Sequence, residues 1–481
     1  MKKLLACALG VCVLATTLVA CDKPADPVTP DADPVASEDT TGGDETEPAP
    51  AGKKGTINLW AFTDEVPKMV DYYVAQNPDF PYDINTVITP TTDGAYQPAL
   101  DAALAAGGDS APDIYCAEAA FILKYSKGDG AAWAAPYADL GIDVDAKIKE
   151  AAIADYSVEI GTNPDGAVVG LGYQATGGAF IYRRSIAKDT WGTDDPAEIS
   201  KKIGGGSGSW DQFWTAADEL KAKGYGIISG DGDIWHAIEN SSDQGWVVDG
   251  KLTIDPKREA LLDVSKKLKD GKLHNETADW TDAWFADMKG EGAQGIFGFF
   301  GPAWLINYTI APNCGGAAVG EGTYGDWAIC ESPVGFFWGG TWLLASKNAA
   351  ADADKAAAVA EIIEWITLDC TESGLQYAWA NGTVDWDNDP ATPTAKDCVA
   401  SGTVMSISDG SLDFLGGQNM FDVFVPANAN AKGDNLTQYD EKINQFWRDQ
   451  VREYVAGNKS REDAIKDFKQ NVADNLDVVV E

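Results

Sequence analysis

Histidine is the scarcest polar residue here: 481 positions hold two, His236 and His274. Neither lies in a recognisable catalytic setting, which leaves a Ser-His-Asp centre without a base. The chain has no Cys-x-x-Cys pair and no Cys/His cluster at ligand spacing, which argues against a structural zinc. It also lacks a Gly-x-Ser-x-Gly elbow, a His-Glu-x-x-His helix and a phosphate loop. Basic residues are few, 36 Lys and Arg against 75 Asp and Glu, for a net charge of −39. That charge is spread along the chain, so nucleic-acid phosphates would repel it, and a basic membrane-surface role is disfavoured. No repeat of fixed period is present. A glycosidase escapes these absences, because it needs just two carboxylates and the chain has 75 acidic residues.

The first apolar run, Leu4–Leu18, is shorter than the roughly 18–20 residues of a spanning helix. It comes after Lys2 and Lys3 and ends in small residues, the pattern of a secretory signal peptide. Leu18-Val19-Ala20-Cys21 resembles the bacterial lipobox, in which the cysteine is lipidated and becomes residue one after cleavage. Residues 1–20 therefore read as a lipoprotein signal peptide and Cys21 as the lipidation site. The remainder is expected on the extracytoplasmic face of the cell membrane. Residues 21–54 read as a disordered acidic tether: 22–50 hold nine acidic residues, one lysine, six prolines and no aromatic, too little apolar surface to repay ordering. Cys7 and Cys12 leave with the leader. For the rest, local spacing suggests Cys314–Cys330 and Cys370–Cys398 disulfides with Cys116 free, a pairing that spacing alone does not prove.

Beyond the tether the chain is globular in composition, and too long for one core, so two or three domains are expected. Gly55–Phe62 alternates as a strand, a helix begins near Glu65, Tyr82–Val87 is a second strand, a helix runs through Ala99–Ala106, and Ser110–Cys116 is a third strand. This order predicts a largely parallel α/β sheet, with ligand beyond the strand carboxyl ends at Trp60–Glu65 and Tyr115–Glu118. Gly170–Gln174 and Ala179–Ser185 are extended. Ser209-x-x-Gln212 matches a capping box opening a helix that Gly224 ends. Glycine-punctuated apolar strands are expected at Gly290–Trp304 and Val334–Ser346. Ala351–Thr367 reads as a helix, as do two C-terminal segments, one lined by Ile443, Trp447 and Val451 and one capped at Ser460.

The order of these motifs resembles the extracellular solute-binding proteins of bacterial ABC importers, in the maltodextrin/sugar-binding cluster (family 1). Ile181-Tyr182-Arg183-Arg184 is similar to the family's aliphatic-Tyr-Asn-Lys segment, with arginines replacing Asn-Lys. Ser209-Trp210-Asp211-Gln212-Phe213 is similar to its Thr-Trp-Asp-Glu helix start. Gly290–Trp304 is similar to Gly-Lys-Ala-Ala-Met followed by Gly-Pro-Trp, with Gln294 in the methionine place and Ala303 inserted before Trp304. Gly339-Gly340 through the Ala351–Thr367 helix, and Tyr454-Val455-Ala456-Gly457 near the end, complete the likeness over residues 55–478. It implies an α/β, two-lobed periplasmic-binding-protein-like fold with a hinge and an interlobe ligand cleft. Carried over, one lobe is 55–178 plus 341–412 and the other 179–340 plus 413–481. The implied partners are a small-molecule ligand and an ABC permease, with the membrane reached through the lipid on Cys21.

Seventeen Trp, 16 Tyr and 16 Phe supply the flat platforms that sugar C–H faces need, alongside polar groups for the hydroxyls. By family position Trp304 is the foremost ligand-binding candidate, followed by Trp338 and Trp60, then Trp235 and Trp342. Asp64, Glu65, Asp113, Glu118 and Gln174, near strand ends, are the polar candidates, each competing with a plain capping or solvated role. No cofactor is expected. Asp385–Asp389 alternates carboxylates as a calcium loop does, but Pro390 and Lys396 stand where glycine and glutamate are required, so an acidic loop is the better reading. A capture protein for a sugar or oligosaccharide is the expectation; a glycosidase, a binder of peptides or other solutes, and a cleftless structural lipoprotein are the alternatives.

Overall fold

The computed structural model describes residues 52–91, 94–384 and 396–481. The leader, Cys21, nearly all of the tether and the Asp385–Asp389 loop lie outside the described residues. Eight strands build two sheets: β1 (Gly55–Ala61), β2 (Tyr82–Ile88), β3 (Ile114–Glu118), β4 (Gly170–Gly172), β5 (Ala179–Arg183), β6 (Gly298–Gly301), β7 (Trp327–Cys330) and β8 (Thr341–Ala345). Short two-stranded pairs accompany them.

The first sheet has the order β2-β1-β3-β8-β4. Its first three strands are parallel, with Ile57 beside Ile84 and Trp60 beside Tyr115. Both faces of such a sheet are covered. Ile57, Leu59 and Ala61 pack into one core cluster, while Trp60 on the other face meets the cluster of Tyr96 and Phe121. Strand β8 runs antiparallel to β3 and β4, because the chain re-enters this sheet from the second one. The second sheet, β6-β5-β7, is wholly antiparallel. The expectation of a largely parallel sheet thus holds for β1–β3 alone.

The chain passes between sheets at residues 172–179 and again at 330–341. The expected long strand Val334–Ser346 is divided by that second passage: Thr341–Ala345 is the paired strand, and the segment before it is a loop with one isolated bridge, Phe337 to Gly177. A third passage comes after the helix Gly402–Ile407, and beyond it Gln418 clamps β7 by accepting from Ile329 N–H (3.0 Å) and donating to Ile329 C=O (2.8 Å).

Helix signals are read locally and mostly hold. Asp352 caps Ala353–Thr367, and Ser460 Oγ caps Arg461–Asn475. The capping box at Ser209 does not form. The helix Asp211–Ala222 starts after Trp210, with Ser209 Oγ accepting from Asp211 N–H one residue early. The expected disulfides are absent: all five described cysteines are free. Cys314 packs in the large core cluster and Cys330 in a separate one, so the two thiols sit in different cores. Cys398 is buried, whereas Cys370 is partly exposed past the helix Ala353–Thr367. Among the described residues, no helix is long and apolar enough to cross a membrane.

Candidate ligand-binding cleft

The carboxyl ends of β1 and β3 open onto a cleft of about 850 Å³. From the first sheet's side come Thr63, Asp64 and Glu65 after β1, Glu118 ending β3, and Tyr173 and Gln174 after β4. Facing them are Trp280, Trp304 and Tyr308, and the Trp338–Thr341 segment forms the wall where the chain crosses back. Gly339 and Gly340 have φ of 72° and 111°, backbone that glycine adopts without steric cost. Thr176 Oγ1 donates to Gly339 C=O (2.8 Å) and Trp338 N–H donates to Thr176 C=O (3.1 Å), pinning the wall to the 172–179 passage.

Three tryptophans form one aromatic group. Trp280 stacks on Trp304 with ring centres 6.1 Å apart and planes at 11°. Trp304 meets Trp338 edge-on at 4.9 Å and donates its indole N–H to Trp338 C=O (3.0 Å). Trp280 remains 55% exposed and has φ of 65°, an uncommon conformation for a bulky residue. Tyr173 and Trp379, both buried, stack 5.4 Å apart at 18° in the cleft wall.

Carboxylates supply the polar side. Asp64 pairs with Lys68 (2.8 Å), whose hydrogen bond draws its carboxyl below the usual range. Glu65 accepts from Tyr173 O–H, but desolvation by burial dominates and raises it. Glu118 accepts from Ala120 N–H (2.8 Å), and desolvation pushes it up to about 7. Gln174 Nε2 donates to Asp397 Oδ2 (3.1 Å), and burial pushes Asp397 up to about 8. Such an arrangement offers ring faces to C–H groups and acceptors to hydroxyls. Among the described residues, no group of three or more His, Cys, Asp or Glu is placed to hold a metal.

Asp64, Glu65, Glu118, Gln174, Trp304 and Trp338 are thus brought together in one cleft. Trp235 is buried in the second sheet's core and lines a neighbouring compartment. The other three candidates lie elsewhere. Trp60 packs against the Tyr96 cluster, within the paired part of β1 rather than beyond its end. Asp113 sits at the opposite, amino end of β3, where it accepts from Asn58 N–H (2.9 Å) and pairs with Lys355 (3.1 Å). Trp342 is buried and donates to Ser157 C=O (3.0 Å). Sequence reading missed Trp280, Tyr173, Tyr308 and Trp379. The signal for Trp280 is a lone large ring within the polar run Thr277–Asp282; the others carry none.

The model of the bacterial extracellular solute-binding protein family matches residues 60–369. No curated protein matches the chain. The galacto-N-biose-/lacto-N-biose I-binding protein of an ABC transporter from Bifidobacterium longum, solved with lacto-N-biose, is 16% identical at a TM-score of 0.62, covering 90% of this chain and 100% of that one. The sugar-binding protein MalE from Xanthomonas citri is 15% identical at 0.62, covering 87% and 96%. The ABC transporter associated binding protein from B. animalis subsp. lactis Bl-04, solved with β-1,6-galactobiose, is 19% identical at 0.56, covering 87% and 97%. These likenesses establish the two-lobed fold, and the family is one of binders rather than enzymes. The chain belongs to the bacterial extracellular solute-binding proteins.

Proposed function

We propose that this protein is the lipid-anchored receptor of an ABC importer, capturing a saccharide between its lobes and delivering it to the permease. The observation that carries the substrate class is the Trp280–Trp304–Trp338 group facing carboxylates across one cleft. Ring faces suit sugar C–H surfaces, and Asp64, Glu65 and Glu118 suit hydroxyl donors. The B. longum and B. animalis proteins of the same fold were solved with disaccharides, which supports the reading. The lobes are 55–178 plus 341–412 and 179–340 plus 413–481, and they close by hinge motion at the passages between the sheets. The lipobox-like Leu18–Cys21 supports anchoring through Cys21.

A thermal-shift screen against saccharides, amino acids and peptides tests this. Ligand at a hundredfold excess over its Kd adds about 2.7 kcal/mol of stability. The expected result is a saccharide hit, with the sugar recovered intact. Trp304→Ala should weaken that sugar at least about tenfold, or about 1.4 kcal/mol, in calorimetry. A peptide hit with silence across sugars overturns the substrate class.

A further inference from the structure

A compartment of about 380 Å³ adjoins the aromatic cleft, and the two share Glu118, Trp338 and Gly339. Its other side is built by the helices Gly232–Asn240 and Asp440–Val455. Two arginines line it, and both are engaged: Arg448 with Asp279 (3.3 Å) and Arg452 with Asp449 (2.9 Å). Glu239 faces His236 Nδ1 (3.4 Å) and accepts from Asn444. His236 in turn stacks on Trp338, 4.5 Å apart at 20°.

Three further carboxylates line this space: Glu118, Asp440 and Glu441. Asp440 is 4% exposed. Its Oδ1 accepts Thr437 N–H (3.0 Å) and the Thr437 hydroxyl (2.7 Å), while its buried Oδ2 has no hydrogen-bond partner. A buried acceptor left without a donor is costly, and native structures rarely leave one so. Desolvation pushes Asp440 up to about 6 and Glu118 up to about 7, and raises Glu441 as well. The Arg258 guanidinium draws Asp440 partly back down, as Lys442 and Lys124 do Glu441, yet Asp440 Oδ2 keeps no hydrogen-bond partner.

We propose that the compartment behind Trp338 is a subsite for an ammonium group of the ligand, so that the saccharide on the tryptophans is an amine-bearing one. The inference rests on the saccharide reading above. An ammonium carries three donors, and it would give Asp440 Oδ2 the partner it lacks.

The test is calorimetry on the whole mature chain at neutral pH with matched oligosaccharides in neutral, amine, N-acetylated and uronic forms. The amine member should bind at least about tenfold more tightly than its neutral counterpart. Asp440→Asn should reduce that preference to within about threefold and leave neutral-sugar affinity unchanged. Glu441→Gln is the second variant, expected to act in the same direction. Neutral or uronic members binding as tightly as the amine, or a preference that survives both substitutions, overturns the subsite while leaving the saccharide reading intact. Tight binding of aliphatic diamines without any saccharide would sink the saccharide reading and keep the subsite.

Discussion

Asp397 is where a single residue makes the stability of this protein respond to pH. Its carboxyl is buried and pushed up to about 8 from an ordinary value of 3.8, with desolvation the main cause. Between those values it is protonated in the folded chain and ionised in the unfolded one, so unfolding releases a proton. Stability therefore falls as pH rises through this window, by about 1.4 kcal/mol per pH unit. The melting temperature should drop between about pH 4 and 8. Asp397→Asn, which keeps an acceptor for Cys398 N–H, should flatten that slope; an unchanged slope would assign it to other groups. Trp280 illustrates a different residue-scale property. Its left-handed backbone and its exposure both oppose ordinary folding preferences, and such exceptions cluster at functional sites.

At the scale of elements, two local features carry testable weight. Asp352 Oδ1 accepts from Asp354 N–H (2.9 Å) and Lys355 N–H (3.1 Å), satisfying two donors at the start of Ala353–Thr367. Asp352→Ala should cost about 1 kcal/mol in urea denaturation. Gly178 lies at the entry to β5, and a Cβ there would overlap the Phe336 ring. The two residues are tied by Gly178 N–H donating to Phe336 C=O (2.9 Å), so neither segment can shift alone. Gly178→Ala should cost about 1–3 kcal/mol by overpacking, and because the site adjoins the passage behind Trp338, it should also weaken ligand.

At the scale of the whole molecule, the described residues cohere by packing, with no disulfide among them. One core cluster holds Ile57 and Leu343 of the first sheet together with Phe299 and Ile329 of the second. The five described cysteines are free, so reducing agent should leave the melting temperature unchanged. A drop of several degrees on reduction would reveal a disulfide. The passages at 172–179 and 330–341 join the sheets, and closure about them predicts a smaller radius of gyration by X-ray scattering when ligand is added.

Much of this organisation was legible in the sequence. Alternation in Ile57-Leu59-Ala61, the periodic faces of Ala353–Thr367 and the caps at Asp352 and Ser460 depend on neighbours a few residues away. The motif order from Tyr173 to the C-terminal helices was enough to point to the family. Asp64, Glu65 and Glu118 were found because a strand's carboxyl end is itself a sequence position. Which tryptophans face the cleft was decided only by tertiary structure. Trp60 and Trp342 look like Trp304 and Trp338 as sequence, but their strands turn them into cores. The thiols were separated in the same way: Cys314 and Cys330 are 16 positions apart, yet they belong to different cores. Local sequence sets how a segment twists and where it stops. Which face is buried, and against what, depends on segments hundreds of positions away, and only the folded chain brings them together.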